Sequence, residues 1–202
     1  MNKDDYLLES KKKIKSDLKV AAENYRLIST DELICGQLVD LAEQSVSALR
    51  NNAKIIFAGN GGSFGDSQHL AAELISRLQF DRSPLPALAL GTNSSAMTAV
   101  ANDFGYSHVF ARELSAIASK GDVFIPISTS GNSANVLKAV DVAIACELHI
   151  VGFTGESGGD LASKCKCIKI PSNRTERIQE GHILIGHMLC VLIEDLYFSK
   201  IQ

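Results

Sequence analysis

The sequence has no excess of positive charge: 20 lysines and arginines face 23 acidic residues, a formal net charge of −3. No global positive field exists to hold a phosphate backbone, so nucleic-acid binding is not expected as the main activity. Nor is there an uninterrupted apolar run near the ~18 residues that span a bilayer, and the stretch from Met1 to Ser10 is charged rather than signal-like. Neither secretion nor a membrane partner is expected, and a cytoplasmic location is. A disulfide framework is missing as well. The five cysteines (Cys35, Cys146, Cys165, Cys167, Cys190) are odd in number and scattered, which suits reduced thiols. Cys165 and Cys167 lack zinc-knuckle spacing and are expected on opposite faces of a short strand, with no catalytic role. What remains, 202 residues at 46% hydrophobic, suffices for one substantial core and is short for two.

The first fifty residues read as two helices. Leu7, Ile14, Leu18, Ala21 and Tyr25 recur at helical spacing, with Lys11, Lys12, Lys13 and Lys15 on the solvated side. Ser29 and Glu32 have capping-box spacing ahead of Ile34, Leu38, Leu41, Ala42 and Leu49, which predicts a second amphipathic helix. From Lys54 onward, short apolar runs alternate with glycine- or serine-rich loops and helical patterns, the signature of a parallel sheet. Strands are predicted at Ile55 to Ala58, Ala87 to Leu90, Val123 to Ile127, Ile150 to Phe153 and Ile168 to Ile170. Their runs are continuous, as in strands covered on both faces. The fold class is therefore α/β, a doubly wound five-stranded parallel sheet in one domain. A closing helix is predicted from about Arg177 to Tyr197, with Ile178, Ile185, Leu189, Leu192, Ile193 and Leu196 on its apolar side. The terminal helices carry more apolar surface than five strands need, which points to a helical subunit interface.

Two loops can carry chemistry. Gly59-Asn60-Gly61-Gly62-Ser63 follows the first strand but lacks the third glycine of a dinucleotide fingerprint and the Gly-Lys-Ser/Thr of a P-loop. Gly61-Gly62-Ser63-Phe64-Gly65 also matches the nucleophile elbow of α/β-hydrolases, with Asp160 and His187 following in the matching order. Against that reading, His187 falls inside an apolar helix rather than on a loop. After the third strand, Ser128-Thr129-Ser130-Gly131-Asn132-Ser133 leads into a helix, so hydroxyls and free N–H groups at its N-terminus can cradle a phosphate. A serine-rich turn with an N-cap is the plain alternative. His69 and Glu73, four apart on one helix face, have chelating spacing or form a surface pair. His187, among Ile185, Gly186, Met188 and Leu189, is either a core histidine or a tuned acid/base, and His182 is a weaker candidate.

Taken together, Gly59-Asn60-Gly61-Gly62-Ser63, His69-x-x-x-Glu73, Asn102-Asp103-Phe104-Gly105, Ser128-Thr129-Ser130-Gly131-Asn132-Ser133 and Arg177-Ile178-Gln179-Glu180-x-His182 with His187 strongly resemble the bacterial phosphoheptose isomerases. These are sugar isomerase (SIS) domain enzymes that convert sedoheptulose 7-phosphate to glycero-manno-heptose 7-phosphate. The resemblance covers nearly the whole chain. It implies one zinc per subunit held by His69, Glu73, Gln179 and His187. Sugar contacts would come from Asn60, Gly61, Gly62, Ser63, Asn102 and Asp103, with Glu73 and Gln179 also facing the substrate. Ser128, Thr129, Ser130 and Ser133 would grip the phosphate. It further implies homotetramers with active sites at subunit contacts, and a product destined for lipopolysaccharide or another surface polysaccharide. Phe64-Gly65 and Glu176 depart from the usual family residues and bear on substrate detail.

Aldose–ketose interconversion needs a base that carries a proton between C1 and C2, and a second group that shuttles protons between O1 and O2. Glu73 is the expected base and His187 the expected shuttle. The metal geometry is less direct. If Gln179 and His187 share one straight helix, their separation is ~12 Å along its axis, so either Gln179 precedes the regular helix or a neighbouring subunit supplies one ligand. Two non-catalytic readings remain: a sugar-phosphate sensor, and a regulator that binds the replication initiator DnaA. That regulatory branch is expected to lack the carboxylate of the His-x-x-x-Glu pair and the last histidine, both present here.

Overall fold

The computed structural model describes residues 3–198. The elements, in chain order, are α1 (Lys3–Ser29), α2 (Glu32–Arg50), β1 (Ile55–Gly59), α3 (Gly62–Ile75), β2 (Ala87–Ala89), α4 (Ser94–Phe104), a 3-10 turn (Tyr106–His108), α5 (Val109–Ile117), β3 (Val123–Ser128), α6 (Ala134–Ala145), β4 (His149–Gly155), α7 (Leu161–Lys164), β5 (Lys166–Ile170) and α8 (Thr175–Phe198). All five predicted strands form, and they pair in parallel in the order β2-β1-β3-β4-β5. Chain direction across the sheet reverses between β1 and β3. The loops leaving these two strands therefore diverge and open a crevice at their carboxyl ends, where ligands bind in such sheets.

The sheet is buried on both faces, which explains its unbroken apolar runs. Ile55, Phe57, Val123, Ile125, Phe153 and Ile168 pack against α2, α3 and α8, with Leu41, Leu70, Leu74, Ile185 and Leu189 among the contributors. On the other face Ile56, Ala58 and Phe124 pack against α5, α6 and α7 through Phe110, Leu114, Val136, Val140 and Leu161.

Three expectations change. Asp31, not Ser29, caps α2: its carboxylate accepts from the N–H groups of Leu33 (2.9 Å) and Ile34 (3.1 Å), while Ser29 closes α1 by donating to the Arg26 carbonyl. A carboxylate directly before the first turn leaves no capping role for a serine two residues earlier. Secondly, the apolar side expected for α1 is not covered by this chain. Only Asn24 and Ile28 are buried, whereas Tyr6, Leu7, Leu8, Ile14, Leu18 and Tyr25 are exposed. Thirdly, Cys165 and Cys167 share a face, because side chains two apart on an extended chain point the same way. They sit half-buried beside the cluster around Phe124, and their thiols interact: the contact with Cys167 pulls the Cys165 thiol down and pushes that of Cys167 up.

A buried ion pair ties the C-terminal end of α3 to α8. Glu194 accepts from the Leu78 N–H (2.9 Å), the Gln79 N–H (3.0 Å) and Arg82 (2.9 Å). Arg82 also donates to the carbonyls of Glu73 (2.8 Å), Leu74 (2.6 Å) and Ser76 (3.0 Å). Every donor and acceptor brought out of water here finds a partner.

Candidate functional site

The site begins where α3 and α8 touch. Gly186 lets the helices approach so closely that a Cβ there would lie 2.6 Å from Leu70. The residues next in sequence, His69 and His187, are thereby brought face to face. Their Nε2 atoms are 2.8 Å apart, and His69 Nε2 is 3.1 Å from Glu73 Oε1. One donor atom from each of the three lies within 4.8 Å of the others. The His69–Glu73 spacing is thus more than a surface pair, since a third side chain with a metal-donor atom, His187, joins it from a distant segment. Two imidazoles and a carboxylate are a donor set suited to zinc.

Gln179 does not join them within one chain. α8 is regular from Thr175, so Gln179 lies inside the helix and the possibility that it precedes it is excluded. Its amide packs at the start of α3, where a Cβ on Gly62 would come within 2.5 Å of Nε2. His182 is a core residue, fully buried with its ring 6.0 Å from that of Phe153. Burial pushes its pKa down to about 4 against an opposing contribution from the Thr154 backbone, so it is neutral at pH 7.

The hydrolase reading fails at the β1–α3 loop. The unusual backbone conformation belongs to Gly61 (φ 55°, ψ −120°), not to Ser63. Ser63 is buried inside the first turn of α3, and His187 is engaged with His69. An elbow instead requires an exposed serine on the strained residue.

The serine loop lies across the crevice. Ser128 and Ser133 hydroxyls are 3.1 Å apart, and the Ser130 hydroxyl accepts from the Asn132 N–H at 3.1 Å. Thr129, Ser130 and Asn132 join Gly155, Ser157 and Thr175 around a cleft of about 400 Å³. Its walls carry hydroxyls, amides and the Glu156 carboxylate but no lysine, so an anion here would be held by hydroxyls and loop N–H groups rather than by a cation. Asn102 and Asp103 are exposed at the end of α4, where the Asn102 amide donates to the Asp103 carboxylate at 2.8 Å. Beside His69, burial raises the Asp66 carboxyl to about 6, with the His69 charge opposing.

Sequence reading missed Tyr106 and Asn135. Tyr106 Oη donates to Asn60 Oδ1 (2.9 Å), and Asn135 and Asn60 exchange two amide hydrogen bonds of 2.8 Å each. The network joins the glycine loop to the serine loop. Its only sequence signal is a second asparagine shortly after Asn132, at the start of α6.

Comparison with known proteins agrees with this fold. The SIS domain family matches residues 26–155. A phosphoheptose isomerase of Aneurinibacillus thermoaerophilus is 46% identical over 188 residues, 93% of this chain and 95% of that protein. One from Rhodospirillum rubrum is 49% identical over 163 residues, covering 80% and 87% of the two. The solved phosphoheptose isomerase of Neisseria gonorrhoeae superposes with a TM-score of 0.85 at 37% identity, covering 92% of this chain and 98% of that one.

Proposed function

This chain belongs to the SIS domain family, and on that premise we propose that it is an isomerase interconverting sedoheptulose 7-phosphate and D-glycero-D-manno-heptose 7-phosphate through an enediol. The reading rests on its similarity to phosphoheptose isomerases over most of its length and on one structural observation. A carboxylate (Glu73) and an imidazole (His187) from distant segments converge on the face of α3 and α8. Glu73 takes the proton from the carbon beside the carbonyl and returns it to the neighbouring carbon. His187 moves the hydroxyl proton between the two oxygens, so the enediol never has to carry a full negative charge. The hydroxyls of Ser128, Thr129, Ser130 and Ser133 hold the phosphate and fix the register of the sugar. Asn60 and the adjoining Gly61 and Gly62 face its hydroxyls.

His69, Glu73 and His187 fit a zinc ion, which when bound would polarise the carbonyl as a Lewis acid. Gln179, ~12 Å along α8 from His187, would complete the set from a neighbouring copy. The uncovered apolar face of α1 supports a homotetramer with shared sites, its product feeding a surface polysaccharide from the cytoplasm.

Incubation of the purified protein with sedoheptulose 7-phosphate, followed by NMR, should show the aldose product accumulating. Binding without turnover would leave a sugar-phosphate sensor instead. Elemental analysis of protein prepared without a histidine tag should give about one zinc per chain, as expected for a site holding one ion. A His69→Ala, His187→Ala double variant should lose it. Retention of zinc by that variant would reject the assigned ligands.

A further inference from the structure

Asn60 stands at the point where the two ligand loops meet, and its hydrogen bonds determine what it can offer a ligand. The backbone N–H of Val136 donates to Asn135 Oδ1 at 3.0 Å. An N–H cannot accept, so this contact fixes which end of the Asn135 amide is oxygen. The Asn135 NH₂ is then committed to Asn60 Oδ1, and the Asn60 NH₂ returns a bond to Asn135 Oδ1. Tyr106 Oη fills the second acceptor position of Asn60 Oδ1 at 2.9 Å. Both lone pairs of that oxygen are consumed, and one N–H of Asn60 has no partner among the described residues.

From this arrangement we propose that Asn135 and Tyr106 are positioning residues that lock Asn60 as a single-hydrogen donor toward the sugar. Asn60 can then recognise only an acceptor: the carbonyl oxygen, or a hydroxyl through its lone pair. The anchor is rigid because Asn135 is 3% exposed at the start of α6, directly behind the serine loop. A phosphate seated on that loop therefore fixes, through the paired amides, where the free N–H of Asn60 points. Without Asn135 and Tyr106 the Asn60 amide could rotate by half a turn and present an oxygen where the sugar also offers one. The inference rests on the proposed placement of the sugar beside Asn60.

A double-mutant cycle separates it from its alternatives. Tyr106 is 51% exposed, so Tyr106→Phe removes one hydroxyl without opening the core. The expected result is a rise of about fivefold in KM for the heptose phosphate with kcat nearly unchanged, the scale of one lost neutral hydrogen bond. Asn135→Ala should raise KM at least as much. In an Asn60→Ala background, neither substitution should raise KM further. Full effects in both backgrounds would overturn the proposal, because they would mean direct contact or a general structural role. If Asn60→Ala itself leaves KM unchanged, the inference also falls, while turnover by the unaltered protein would still uphold the isomerase reading.

Discussion

Replacing Glu73 by glutamine is expected to lower kcat by about 10³-fold, within the range that a positioned general base supplies. Glutamine keeps the shape and can still face the substrate, but it has no basic oxygen to accept the carbon-bound proton. The proposed phosphate grip lies in the loop between β3 and α6, away from the substitution, so affinity for the heptose phosphate should change by less than about threefold, as expected when only an interaction of the transition state is lost. Calorimetric titration of Glu73→Gln alongside steady-state kinetics measures the two quantities separately. Solvent-deuterium incorporation at C1 of sedoheptulose 7-phosphate in the absence of product formation is the sharper readout. The variant should show none, because the first proton never leaves carbon. A variant that exchanges that proton at the normal rate would remove Glu73 from the base role, whatever its effect on zinc content.

The legibility of this site in the sequence followed the range of the interactions that build it. His69 and Glu73 belong to one helix, so their i,i+4 spacing already put them on one face. Their union with His187 depends on Gly186 seating against Leu70, a contact between segments more than a hundred residues apart that leaves no local pattern. Of the six residues whose spacing announced the apolar side of α8, Ile178, Ile185, Leu189 and Ile193 are buried, while Leu192 and Leu196 are half-buried. The same kind of spacing in α1 marked a helix correctly without revealing that this chain leaves its apolar side uncovered. Glu194 and Arg82 drew no notice, because a charged residue looks solvated until its counter-charge is located. The error over Cys165 and Cys167 has a simpler cause: a strand repeats every two residues, so those thiols had to be neighbours.

The second large effect concerns stability. Glu194→Ala should destabilise the fold by about 3–5 kcal/mol, since it strands Arg82 as an unpaired charge out of water and orphans two backbone N–H groups. Arg82 and Glu194 side chains are 1% and 0% exposed, so solvent cannot step in. Urea unfolding at one fixed protein concentration measures the loss, and a shift within ~0.5 kcal/mol, typical of surface sites, would contradict it. The paired replacement Arg82→Met, Glu194→Leu should recover much of the loss, because it removes both charges together. The pH dependence follows from the same contacts. Burial alone would raise the Glu194 carboxyl, but the Leu78 and Gln79 N–H groups and Arg82 outweigh it and hold the pKa below its ordinary 4.5. The unfolded chain therefore takes up this proton first on acidification. The contribution is complete above about pH 4.5 and disappears as pH falls through the lowered value, an acid-side loss that Glu194→Ala should not show.

The strand order also limits where a foreign strand could join the sheet. One margin of the sheet is β2, only three residues long. At the other, β5 turns Lys166 and Lys169 toward solvent, and Gln37 reaches across to the Cys167 carbonyl at 3.4 Å. Neither border offers a long, bare template for a foreign strand, so runaway fibril-like stacking is disfavoured from both sides. Growth by helix-to-helix contact is the route left open, and such contacts can close into a finite ring of subunits rather than propagate without end.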